Sequence, residues 1–190
     1  MDQAGVVGVV LAAGAGTRFG GPKALARTPD GEPWIARAVT TLTESGCREV
    51  VVVLGARADE ARPLVPETAT VVVAADWAEG LSASLRAALR SLDGTATDRA
   101  VVIPVDTPDL PAAAVRRLIA ASGATGSQTL ARAVYDGRPG HPVVLGRTHW
   151  HELAAVVQGD QGAGPYLRAH DATEIECRDL WDGADIDHRP

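Results

Sequence analysis

Short runs of β-branched residues alternate along the chain with longer Ala-, Leu- and Arg-rich stretches whose apolar positions recur at helical spacing. Residues 6–11, 49–54, 70–74 and 100–105 are near-continuous Val/Ile runs of the kind that fill parallel strands covered on both faces. Residues 34–44, 58–62, 81–92 and 111–121 read as helices. Pro33 stands just before the first of these, and Pro111 suits the opening turn of the last. This alternation predicts a doubly wound α/β sheet with right-handed crossovers.

The rhythm then changes. Residues 128–134 and 141–145 read as strands separated by Tyr135-Asp136-Gly137-Arg138-Pro139-Gly140, which predicts an antiparallel hairpin with one wide turn. Short helices are expected at 149–157 and 163–169, and a late strand at 173–177. With no linker, repeat or low-complexity tract, residues 1–190 are expected to form one domain, burying roughly 70% of the unfolded surface. Open α/β sheets bind ligands at the carboxyl ends of their strands, so the residues just after each Val/Ile run carry the chemistry.

Charge and composition narrow the partners. Eighteen basic against twenty-four acidic residues leave a net charge of −6, which excludes a surface built to coat a polyanion. Aromatics at 4% give no stacking platform, so nucleic acid is not the expected partner. The apolar stretch 6–15 is too short to span a bilayer, and the preceding Met1-Asp2-Gln3 lacks the positive charge of a signal peptide. Two dispersed cysteines, Cys47 and Cys177, point to the reducing cytoplasm rather than a disulfide framework. Seventeen of the eighteen basic residues are arginine; Lys23 is the single lysine.

Lys23 closes a loop, Gly14-Ala15-Gly16-Thr17-Arg18-Phe19-Gly20-Gly21-Pro22, that follows the first strand. Glycines allow positive φ and close backbone approach, so consecutive N–H groups can converge on phosphate oxygens while Arg18 and Lys23 supply charge. A dinucleotide-binding turn would open straight into a helix, which Gly20-Gly21-Pro22 delays. A Walker loop needs Gly-Lys-Ser/Thr, and here Pro22-Lys23-Ala24 lacks the hydroxyl.

The segment Leu11-Ala12-Ala13-Gly14 through Leu25 resembles the signature of the nucleotidyltransferases with a Rossmann-like fold of glycosyltransferase-A type, and within them the molybdenum cofactor cytidylyltransferases. The resemblance implies a three-layer αβα architecture with a mostly parallel mixed sheet. It also implies nucleotide binding by Leu11, Ala12, Ala13, Gly14, Gly16, Thr17, Arg18 and Lys23. Ala13 is similar to the cytidylyl branch, where guanylyl members carry Gly. Three further motifs extend the likeness.

Asp106-Thr107-Pro108 follows Pro104 at the end of the fourth strand, where the family binds Mg²⁺; a carboxylate there suits an ion shared with substrate phosphates. A plain turn-forming Asp is the competing reading. Gly80, Ser82 and Ser84 open a helix and match the stretch beside base and ribose, although Ser82 is also a ready N-cap. Arg138, Gly140 and His141 match the strand start that faces the acceptor, and Asp160 the turn that completes metal binding. Gly164 departs from the pattern, standing where the family has Arg, so either Arg168 or Arg138 meets the acceptor's charge or the acceptor is a different one.

The expected reaction is attack by an acceptor phosphate on the α-phosphorus of CTP, with Arg18, Lys23 and Asp106 as the catalytic residues, Mg²⁺ on Asp106 and Asp160, and a molybdopterin-type acceptor. A molybdoenzyme or delivery chaperone is the protein partner this implies. Competing expectations are guanylyl transfer to the same cofactor, transfer to a sugar or polyol phosphate, and non-catalytic nucleotide binding for cofactor delivery. An NADP module, suggested by Arg57 after the second strand, is the last.

Overall fold

The computed structural model describes residues 5–123 and 126–188; Met1-Asp2-Gln3, read above as unlike a signal peptide, lies outside the described residues. The first four Val/Ile runs form β1 (Val6–Ala12), β2 (Glu49–Leu54), β3 (Thr70–Val73) and β4 (Arg99–Pro104), and the later ones β5 (Leu130–Tyr135), β6 (Arg138–Gly146) and β7 (Thr173–Glu176). One sheet takes them in the order β3-β2-β1-β4-β6-β5-β7. The first four are mutually parallel, β6 runs antiparallel to both β4 and β5, and β7 returns parallel to β5.

Period-two alternation divides the strands between two cores. Val10, Val52, Val101 and Ile103 point to one face, where α1 (Trp34–Glu44) and α4 (Ala112–Ala121) bury Ile35, Leu42, Val115 and Leu118. Val9, Val53, Ala100 and Val102 point to the other. There α3 (Leu81–Ser91), α5 (Arg147–Val156) and α6 (Gly164–Ala169) bury Leu85, Leu89, Leu153 and Leu167. The one-turn α2 (Ala58–Ala61) follows β2. The arrangement is the expected α/β three-layer fold with a mostly parallel mixed sheet.

Two expectations change. β3 sits at the sheet edge, where Val71 and Val72 only partly pack against the two opposite cores and Val73 is 45% exposed, so its Val run is thinly covered on both faces. The hairpin turn is tight rather than wide: Asp136 and Gly137 alone join β5 to β6, with φ of 52° and 71°. Two consecutive positive φ values match the right-handed twist of the flanking strands, which lets β6 start at Arg138.

Candidate active site

β1 and β4 lie side by side, so the segments leaving their carboxyl ends meet. The loop after β1 folds back on itself: the Gly21 amide donates to the Gly16 carbonyl at 3.0 Å, and Gly16 takes φ +59°. A Cβ at Gly16 would lie 2.0 Å from the Gly21 oxygen, so a side chain there would open the loop. Lys23 begins a single 3-10 turn, Lys23–Leu25, and α1 starts only at Trp34. Beyond β4, the Val105 amide donates to the Leu11 carbonyl at 3.0 Å, and the Thr107 hydroxyl to the Pro104 carbonyl at 2.9 Å, fixing the turn that presents Asp106.

Lys23 Nζ donates to Asp106 Oδ2 at 2.9 Å and to Asp187 Oδ1 at 3.0 Å. Asp187 also pairs with Arg18 at 3.2 Å. The residues gathered around Asp106 are therefore Asp185 and Asp187, brought by an extended tail whose Ile186 amide donates to the Asp106 carbonyl at 2.9 Å. Carboxylate oxygens of the three lie within 4.8 Å of one another. Neither tail residue was among the sequence candidates. The signal was Asp185-Ile186-Asp187: in an extended segment, residues two apart share a face, and Ile186 turns the opposite way to pack on the core.

Two adjoining cavities flank this cluster. The larger, about 610 Å³, holds Leu11, Ala12, Gly14, Gly16, Lys23, Pro104, Asp106, Gly140, His141 and Asp185 in its wall. The smaller, about 540 Å³, holds Ala13, Gly14, Thr17, Arg18, Lys23, Gly80, Ser84, Asp160 and Asp187. Both volumes suit small-molecule ligands. Leu11, Gly14, Gly16 and Lys23 are common to both, so a ligand bridging the two would pass the glycine loop and its lysine.

Some predicted residues stand elsewhere. Ser82 is fully buried, its hydroxyl accepting from Arg86 at 3.3 Å, and it neither lines a cavity nor caps α3, whose N-cap is Gly80. Ser84, two residues on and 4% exposed, does line the smaller cavity. Asp160 lies against Gly80 at that cavity rather than in the carboxylate cluster, because the tail supplies the carboxylates beside Asp106. Arg138 is exposed, donates to the Tyr135 carbonyl at 3.4 Å and reaches neither cavity. Arg57, the basis for an NADP site, is held by Glu60 and also lies outside both. Arg168 Nη1 lies 3.6 Å from where a Gly164 Cβ would be, so its guanidinium covers the position that lacks a side chain.

The charges are mutually set. Burial pulls the Lys23 ammonium down, but Asp106 and Asp187 outweigh it and hold its pKa above the usual lysine value. The hydrogen bond from Lys23 holds Asp187 below the usual carboxylate range, with Arg18 adding to the effect. Burial keeps the His141 imidazole below its ordinary value despite the opposing pull of Asp106 and Asp185. Three hard oxygen donors so close together fit Mg²⁺ or Mn²⁺. No described helix is long and apolar enough to cross a membrane.

The profile of the MobA-like NTP transferase domain matches residues 8–174. The nicotine blue oxidoreductase of Paenarthrobacter nicotinovorans is 36% identical over 193 residues, covering 96% of this chain and 92% of that protein. Among solved structures, an Rv0371c homologue from Mycobacterium sp. strain JC1 superposes with a TM-score of 0.80 at 30% identity, covering 96% of this chain and 90% of that one. Rv0371c of Mycobacterium tuberculosis H37Rv in complex with manganese gives 0.75 at 26%, covering 92% and 89%. Since the profile spans the glycine loop, the Asp106 turn and both cavity walls up to residue 174, the chain belongs to the MobA-like NTP transferase family of nucleotidyltransferases.

Proposed function

We propose that this protein transfers CMP from CTP to the phosphate of a molybdopterin-type acceptor in the cytoplasm. The observation that carries the reading is Lys23, which ends the glycine loop, lines both cavities and touches the carboxylate cluster between them. An acceptor phosphate oxygen bonds to the α-phosphorus as the bond to the bridging oxygen breaks, and pyrophosphate leaves with that electron pair. The acceptor is already anionic near neutral pH, so no protein base is needed. The chain's part is positioning and charge: the glycine loop holds the triphosphate, and Arg18 and Lys23 offset charge growing on the leaving group. Asp106, Asp185 and Asp187 would hold a divalent cation, Mg²⁺ in this reading. When bound, such an ion draws charge from the phosphate oxygens and orients them.

The test is incubation with Mg²⁺, the molybdenum-loaded cofactor and each nucleoside triphosphate in turn, following pyrophosphate. CTP should release it fastest; no release from CTP overturns the assignment. A second, redox reading is supported by the likeness to an oxidoreductase along nearly the whole chain. It requires that NADH or NADPH be oxidised in the presence of a dye acceptor, which absorbance at the nicotinamide band detects directly.

A further inference from the structure

The wall of the larger cavity has an uneven chemistry. Its carboxylate end holds Asp106, Asp185 and Lys23, whereas the body of the cavity is faced by Leu81, Leu85, Val102, Val143 and Leu167. Four of these five are at most 6% exposed, so they belong to the core that packs α3 and α6 on the sheet. Their positions cannot turn to present polar atoms.

Two polar side chains beside this apolar body already have partners, while His141 stands with the carboxylates. Arg132, 8% exposed, is held through Nε and Nη2 by the Glu174 carboxylate, the Nε bond being 3.0 Å. The Thr107 hydroxyl already donates to the Pro104 carbonyl. A ligand hydroxyl placed against these five apolar side chains leaves water without finding a partner, at about tenfold in affinity per group. An apolar ring or chain gains on the same surface by leaving water.

We infer that the acceptor of this site carries its anionic group on an uncharged, planar or aliphatic body, and that the cavity rejects hydroxyl-rich bodies such as those of sugar and polyol phosphates. The inference rests on reading the larger cavity as the acceptor's side of a nucleotidyl transfer. It decides between acceptor classes that the glycine loop and Asp106 would serve equally well. Leu81 is the specificity-determining residue most open to test: it is 38% exposed and lines both cavities, so a polar replacement is tolerated by the fold.

The experiment is calorimetric binding of two probes to the full chain with Mg²⁺, naphthyl phosphate and ribitol phosphate, in wild type, Leu81→Gln and the near-isosteric Val143→Thr. Naphthyl phosphate should bind at least about tenfold more tightly than ribitol phosphate in wild type. Both variants should narrow that ratio severalfold, with melting curves confirming that they fold. Equal or tighter binding of ribitol phosphate, or no binding of the naphthyl ester, overturns the inference. The nucleotidyl reading is judged separately by pyrophosphate release. The naphthyl preference without release from any triphosphate removes that reading and leaves the cavity chemistry standing. Release onto ribitol phosphate at the rate of an aryl phosphate does the reverse.

Discussion

Replacing Lys23 with Met removes one ammonium and leaves its stem. Two charge-assisted hydrogen bonds are lost, each worth roughly 1.5–3 kcal/mol when sheltered. The Asp106 bond is sheltered, with side-chain exposures of 14% and 20%, but Asp187 is 37% exposed, so water screens its bond and it adds little. The net expectation is about 2 kcal/mol, or a melting temperature lower by roughly 4–8 °C for a chain of this size. The pH dependence has a definite sign. Asp187 is depressed in the fold, so its contribution is present above its unfolded value and disappears as pH falls through the folded one; Lys23 is raised, so its contribution lasts until pH climbs past its raised value. The wild-type advantage should therefore be level from about pH 5 to 10 and close in acid. Calorimetric melting across that range, with pyrophosphate release beside it, checks both roles. Turnover should fall about 10²- to 10³-fold. A variant that melts within 1 °C of wild type at pH 7, or one that keeps its turnover, would refute the placement of this ammonium. Lys23→Arg sharpens the comparison: it keeps the charge but brings a planar fork, and should fold while losing most turnover.

Manganese titration followed by electron paramagnetic resonance should separate the acidic residues, with Asp185→Asn and Asp187→Asn each weakening binding about tenfold or more and Asp160→Asn changing it less than twofold. Gly183→Ala places a Cβ 2.4 Å from the Tyr135 ring at φ +79°, so it should lower stability by about 2 kcal/mol or more, read as a melting shift with reduced metal affinity. Burial pushes the Cys47 thiol up to about 12, and Cys177 is likewise buried and raised, so a thiol reagent at pH 8 should label neither until denaturant is added. Rapid labelling of Cys47 in the native state would contradict its packing beneath α1.

The elements that the sequence disclosed are those whose hydrophobic period is long and repeated. Trp34–Glu44 and Glu49–Leu54 are observed with the predicted bounds because the helix carries one continuous apolar face and the strand is apolar on both of its faces. The hairpin turn escaped since Arg138-Pro139-Gly140 has loop composition, while strand pairing is set by Asp136-Gly137 and by the partner strand. At the site, Lys23, Arg18 and Asp106 were legible because they follow directly on the strands that aim them. Asp185 and Asp187 were not, because no helical or strand period marks the segment that follows β7; its path is fixed by contacts that the chain order conceals, such as Trp181 edge-on to Tyr135 at 5.4 Å. Ser82 shows the opposite failure, a polar residue in a ligand-like motif that the helix turns inward.

The lysine–aspartate contact joins residues 164 positions apart, so the loop holding one partner is made well before the segment holding the other. During synthesis the sheet can begin to form on β1, β2 and β4 long before residue 187 leaves the ribosome. Until then Asp106 lacks the extended segment whose Ile186 amide bonds its carbonyl, and a chain interrupted between β7 and that segment has the sheet and both cores without Asp185 and Asp187. Under the proposed mechanism, turnover would therefore report that the chain has been made as far as Asp187, which a spectroscopic signal from the sheet would not.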